Sequence, residues 1–104
     1  MGQPKPETLI EMGKLLSIAA DTTRLKILYS IAEEEKCVYE ICEEISASQS
    51  LVSHQLRTLR EANLLTSRKE GTRVYYRFAD DHVRQLLMAV EEHAKEKVGD
   101  YEDE

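Results

Sequence analysis

The apolar pattern of this 104-residue chain switches from a helical to an alternating period after Asn63 and back to a helical one at Asp80, and that switch most limits what it can fold into. Up to Ala62 the apolar residues recur at helical spacing. After Asn63 they alternate, which is the period of a strand. The helical part divides into four segments. Glu7 to Ala20 carries Leu9, Met12, Leu16 and Ala19 on one face. Asp21 reads as an N-cap for a second helix from Thr22 to Glu34, with Leu25, Leu28, Ile31 and Ala32 as its apolar face. Cys37 to Ile45 forms a short third helix, Ser46-Ala47-Ser48 a turn, and Gln49 to Ala62 a fourth helix with Val52, Leu56 and Leu59 buried. Leu65, Ser67, Lys69 and then Thr72, Val74, Tyr76, Phe78 alternate around Glu70-Gly71, which predicts a β-hairpin. Asp80 opens a last helix that runs to about Lys97. The expected fold is mostly α with one β-hairpin, in a single domain over residues 1–104.

Composition limits the function classes. The longest apolar run is Leu86 to Val90, too short for a membrane span or a secretory core. Two cysteines cannot make a disulfide framework, so the expected compartment is the reducing cytoplasm. The Pro-containing start, residues 1–6, and the acidic end, residues 99–104, are expected as disordered tails. Trp is absent and Phe occurs once, so one copy would have a thin core; burial in a homodimer is expected to thicken it. The net charge is −6, but it is unevenly spread. Ser48 to Arg77 holds six basic residues against two acidic ones, a surplus of four. The remainder holds eight against eighteen, or −10. A basic block inside an acidic chain points to a local contact with a polyanion.

A short helix, a three-residue turn, a second helix and a hairpin follow one another in the order of a winged helix-turn-helix. The fourth helix supports DNA binding through its polar face. Gln49, Ser50, Ser53, His54, Arg57 and Arg60 lie opposite its apolar row, with Ser48 just before the helix, and short polar side chains at a helix N-terminus suit base edges and phosphates. Lys69 and Arg73, with Arg68 and Arg77 beside them, flank the hairpin tip and could follow the DNA backbone. A solvated charged face with no ligand would show the same charges.

Three segments resemble one family. Asp21-Thr22-Thr23-Arg24-Leu25-Lys26-Ile27-Leu28 resembles the second-helix signature of the ArsR/SmtB family of bacterial metal-responsive repressors. Ser48-Gln49-Ser50-Leu51-Val52-Ser53-His54-Gln55-Leu56 resembles its recognition helix, and Glu70-Gly71-Thr72-Arg73-Val74-Tyr75-Tyr76 its wing. The likeness runs from about residue 8 to 97. It implies a homodimeric winged-helix repressor that binds an operator when metal-free and releases it when an inducer binds.

Two places could hold that inducer. Relatives with a soft-metal site carry Cys-Val-Cys at the start of the third helix, where this chain has Cys37-Val38-Tyr39. A phenol in place of a thiolate is poorly matched to soft metals. Cys42 lies about 140° around the helix from Cys37, so the two are expected as small core or boundary residues. The last helix offers Asp80, His82, His93 and Glu96. His82 and His93 lie on one face, about three turns and about 16.5 Å apart along the axis. Zinc–nitrogen bonds are about 2 Å, so one helix cannot bring both to one ion. Two antiparallel copies can, with Asp80 and His82 of one meeting His93 and Glu96 of the other. His82, Leu86, Ala89, His93 and Glu96 step by four and three, a helical seam with Ala89 small enough for close approach. Asp80 converges on His82 only if it sits at the helix cap. Spacing alone favours an Asp80 cap, a solvated Glu96 and two incidental histidines. The resemblance implies the zinc reading, because these positions match the family's C-terminal-helix metal site. It also implies that the second His transmits binding to the backbone near the recognition helix.

The expected function is therefore a zinc-responsive DNA-binding repressor, with Co²⁺ as a surrogate for Zn²⁺. Two alternatives stay open: a winged-helix regulator induced by thiol oxidation or a small molecule, and a dimeric protein-interaction module using its acidic shell. No nucleophile–base pair or paired carboxylates suggest an enzyme.

Overall fold

The computed structural model describes residues 1–99. Among them are five helices and three strands: α1 (Pro6–Ala19), α2 (Thr22–Ser30), β1 (Lys36–Cys37), α3 (Val38–Ile45), α4 (Gln49–Glu61), β2 (Leu65–Glu70), β3 (Arg73–Phe78) and α5 (Asp81–Val98). Helix α1 begins at Pro6, inside the stretch expected as a tail, because proline's fixed φ and missing N–H suit the first helical turn. Gly99 is ordered as the left-handed cap of α5, with φ 70°. The acidic end from residue 100 onward, also expected as a tail, lies outside the described residues.

Helix α2 stops at Ser30, four residues before the expected Glu34. The Ile31 and Ala32 amides turn back to the carbonyls of Leu28 and Tyr29, and Lys36 Nζ donates to the Ser30 carbonyl. Continuing the helix would have placed Glu33, Glu34 and Glu35 at the negative end of its dipole. Breaking it frees Lys36 and Cys37 to pair with Tyr76 and Tyr75. That adds a third, antiparallel strand, β1, to the expected hairpin, and the sheet order becomes β1-β3-β2. Gly71, at φ 63°, turns the hairpin between β2 and β3.

One apolar core joins α2, α3, α4, the base of the hairpin and α5. Ile27, Leu28, Ile41, Val52, Leu56, Leu59, Leu65 and Leu87 meet there, with Val83 at its edge. Helix α1 touches it only through Leu15 and Ile18, which are half-buried. Its other apolar residues face out: Leu9 is 43% exposed, Met12 44%, Leu16 53% and Ile10 61%. On α5, Val90 and Val98, two turns apart on one side, are also more than half exposed. The chain thus leaves an apolar face on its first and last helices uncovered. No helix among the described residues is long and apolar enough to cross a membrane.

Candidate metal and nucleic-acid surfaces

Helix α4 stands on its apolar row. Val52, Leu56 and Leu59 are fully buried, which turns Gln49, Ser50, Ser53, His54 and Arg57 outward. Ser46 takes a left-handed conformation at φ 55° and ends α3, so the chain can re-enter a helix after a short turn. Ser48 is the N-cap of α4: its hydroxyl oxygen accepts from the Leu51 amide at 3.2 Å. The Ser48 hydroxyl oxygen therefore serves the helix cap as an acceptor.

The hairpin sorts its basic residues by strand register. Ser67 is opposite Tyr76 and Lys69 opposite Val74, while Arg68 is opposite Tyr75 and Glu70 opposite Arg73. Side chains alternate across a strand, so Lys69 shares the face of Ser67 and Arg73 the other face, with Arg68 and Glu70. Lys69 and Arg73, grouped by sequence position, straddle the wing. Arg68 is committed internally. Its Nε donates to Glu35 Oε1 at 2.7 Å, its Nη1 to Glu70 Oε1 at 2.8 Å, and its guanidinium lies 4.9 Å from the Tyr75 ring centroid. Hydrogen bonding to Arg68 holds the Glu35 carboxyl below its usual pKa, and Arg68 itself is held still more firmly charged. Arg77 Nε donates to Thr66 at 3.4 Å. Arg57 and Lys69 are exposed, and so is Arg73, whose guanidinium is held more firmly charged by a hydrogen bond with Tyr75.

Helix α5 carries the candidate metal donors in two separate pairs. Asp80 caps the helix, accepting from the His82 amide at 2.9 Å. Its extended backbone, φ −159°, returns the carboxylate toward the imidazole, with Oδ1 3.5 Å from His82 Nδ1. The cap geometry removes the roughly 200° mismatch that a regular helix would impose between these two positions. Three turns on, His93 Nδ1 and Glu96 Oε2 are 3.9 Å apart. The imidazoles are 87% and 85% exposed, so both pairs are open to an incoming group. Among the described residues of one copy, no three donors gather around one point. A cleft of about 290 Å³ adjoins the first pair, and Glu11, Ala62, Asn63 and Leu64 line it together with Asp80 and His82. The end of α4 thus forms one wall beside the candidate donors. The backbone bond from the Ala79 amide to the Leu64 carbonyl, 3.0 Å, ties the two segments together.

Cys37 is buried at the N-cap of α3, where its amide donates to Glu40 Oε1 at 2.9 Å, and Cys42 packs at the core margin. Tyr39 is exposed. These placements agree with small core and boundary residues. Sequence reasoning missed Glu11, Glu35 and Arg24. Arg24 was visible only as the fourth residue of Asp21-x-x-Arg24. In three dimensions its backbone amide is capped by Asp21, its Nη1 donates to the Ile18 carbonyl at 3.0 Å, and its Nε to Gln55 Oε1 at 2.5 Å.

Residues 21–67 match the family described as "Bacterial regulatory protein, arsR family". A "Transcriptional repressor SmtB homolog" from Synechocystis is 40% identical over 83% of this chain, which spans 65% of that relative's length. A "Cadmium resistance transcriptional regulatory protein CadC homolog" from Staphylococcus aureus is 36% identical over 84% of this chain and 73% of its own. Among solved structures, a homodimeric winged helix-turn-helix DNA-binding domain from Mycobacterium bovis, a possible ArsR-family regulator, superposes with a TM-score of 0.83. It is 28% identical and covers 100% of this chain and 98% of its own.

Proposed function

The chain belongs to the ArsR family of bacterial regulatory proteins, and from that membership we propose an operator-binding repressor whose homodimer is released from DNA by zinc. One observation carries the metal reading. The donors stand as two half-sites, Asp80 with His82 and His93 with Glu96, open to solvent at opposite ends of α5. Each supplies one imidazole and one carboxylate. Two half-sites from two copies make a four-donor set that suits zinc and would accept cobalt. When bound, zinc supplies a fixed cross-link between the two α5 helices.

The residues of the chain supply the rest. The uncovered apolar faces of α1 and α5 are the surfaces through which two copies would join, and the metal reading requires the two α5 helices to run antiparallel, with the first pair of one beside the second pair of the other. Asp80 holds its carboxylate at the helix cap and so presents it beside His82. If the family's link between the second His and the backbone near the recognition helix carries over, His93 would be the ligand that transmits binding toward α4, and the cleft beside Asp80 and His82 is walled by Ala62 and Leu64 just after α4. Ser48, Gln49, Ser50, Ser53, His54 and Arg57 of α4 face the major groove, with Lys69 and Arg73 along the flanking backbone. Fixing the α5 pair sets the distance between two α4 helices at a value that fits the operator poorly. A coupling free energy of about 1–3 kcal/mol is typical for such a link.

The direct test is a titration. DNA from upstream of the protein's own reading frame is bound by the chelator-treated protein, released on adding zinc, and rebound on adding chelator. DNA binding that ignores zinc and chelator alike would refute the metal reading while leaving the DNA reading intact.

A further inference from the structure

We propose that Arg24 is a positioning residue that sets the orientation of α4 against the helices joining two copies, an inference that rests on the DNA-binding role proposed for α4. The guanidinium sits where three helices meet. Its Nη1 donates to the Ile18 carbonyl near the end of α1, at 3.0 Å, and its Nε donates to Gln55 of α4, at 2.5 Å. Its own helix is tied on the far side to α5, where the Tyr29 hydroxyl donates to Glu91 Oε1 at 2.5 Å. Helix α2 is therefore pinned to α5 at one end of its length and to α4 and α1 at the other.

Gln55 occupies a telling position. It neighbours His54 in sequence and lies between the outward face of α4 and its buried row, and it is only half-buried. A glutamine there could turn to solvent or to DNA. Arg24 instead holds it against α2. Side-chain exposure of Arg24 is 22%, so this bond is largely shielded from competing water. Apolar packing by Val52, Leu56 and Leu59 seats α4 on the core. The bond to Gln55 adds a directional polar tie at the edge of that row. Guanidinium is required because its planar fork serves two acceptors in different directions, which a lysine ammonium on a flexible stem does not reproduce.

A fold-stabilising role alone would predict loss of stability with unchanged DNA selectivity. A positioning role predicts changed coupling and changed preference for the spacing of half-sites. The probe is an inverted-repeat duplex selected from random DNA by the chelator-treated wild-type protein, together with versions whose half-sites are one base pair closer or further apart. Affinities are measured with chelator and with saturating zinc for wild type, Gln55→Ala, Arg24→Lys, the double variant and Gln55→Glu. Gln55→Ala removes only an edge side chain, so it keeps the test available if Arg24→Lys folds poorly.

Each single variant is expected to shrink the zinc-driven change in DNA affinity by about fivefold or more. The double variant should be no worse than either single one, and Gln55→Glu, which keeps the acceptor, should retain the wild-type response. Loss of half-site spacing preference in Gln55→Ala is expected in chelator. A wild-type zinc response preserved in Gln55→Ala, with spacing preference unchanged, overturns the proposal. If the wild type itself shows no zinc response, the zinc reading fails, and the spacing measurement, which uses no metal, decides for or against Arg24 alone.

Discussion

Helices α4 and α1 carry similar apolar rows and meet opposite fates. On α4 the row of Val52, Leu56 and Leu59 is fully buried inside one chain. On α1 the row of Leu9, Met12 and Leu16 is about half exposed. Helical periodicity is alike in both, so it reports that a face will be buried and not by what. The α4 row is needed to build the domain that presents the polar face. The α1 row is left over for another surface, and the exposed side of α5 next to the candidate metal donors has the same character. The difference separates stability that belongs to one copy from stability that belongs to two.

The largest effect should come from breaking the one-copy side of this contrast. Leu56→Ala leaves a cavity in the centre of the core and is expected to cost about 2–5 kcal/mol of unfolding free energy. The loss should be the same in denaturant titrations at high and low protein concentration. Leu16→Ala should cost less and act through association, so its effect should fade on dilution to the monomer. A Leu16→Ala loss independent of concentration would place the α1 row inside the single-copy fold and undo the contrast.

Metal binding sharpens the two-copy side. If each site draws on both copies, His82→Ala and His93→Ala homodimers should each bind zinc poorly at both sites. In an isolated heterodimer of the two, one site loses both imidazoles. The other keeps Asp80 and His82 from one copy and His93 and Glu96 from the other. Native mass spectrometry should then show one tightly held zinc per heterodimer against two for wild type. Wild-type dimers holding two ions beside heterodimers holding none would rule out the shared site.

DNA binding should separate the α4 face from the wing. Ser53→Ala or His54→Ala should reduce discrimination between operator and random duplex by about 1–3 kcal/mol if base contacts are lost. Arg73→Ala should weaken binding to all duplexes and lower the slope of log K against log salt by about one unit if it meets one phosphate. Equal effects of all three on random DNA would argue against α4 as the reading element.

Much of this architecture was legible because it repeats locally. Val52, Leu56 and Leu59 announce α4 and its outward face, and Gly71 between alternating residues announces the hairpin. What escaped depends on distant partners. Ile31 and Ala32 keep helical spacing, yet the chain leaves α2 there to form β1, whose two residues pair with Tyr75 and Tyr76 almost forty positions on. Arg68 looked as available to DNA as Lys69 until Glu35, 33 residues earlier, was seen to hold it. The donors on α5 were readable as residue types and as a seam. That Asp80 can reach His82 only from the helix cap was legible too; that it does sit there, with Oδ1 3.5 Å from His82 Nδ1, came from the fold.

The smallest expected effect tests that difference between Arg68 and its neighbours on the wing. Arg68 anchors the outer face of the hairpin to the loop after α2, and Glu35 is the group that records it. A carboxyl whose pKa is depressed by folding stabilises the native state above its unfolded pKa and loses that contribution as pH falls through its folded value. Wild type should therefore gain stability as pH rises from the folded to the unfolded pKa of Glu35. In Arg68→Ala the Glu35 pKa should return toward the ordinary carboxylate range, and that part of the slope should vanish. The pair is exposed, so the change in stability should be slight, and the clearer signal is the Glu35 carboxyl titration followed by NMR. Glu40 supplies an internal reference. Its carboxyl is also held below its usual pKa, but first by the Cys37 amide and not by Arg68. In Arg68→Ala, Glu35 should move and Glu40 should not. If both move, the substitution has loosened the β1–β3 edge as a whole, and Arg68 is part of the wing's framework; if neither moves, Arg68 is as available to DNA as Lys69 and Arg73.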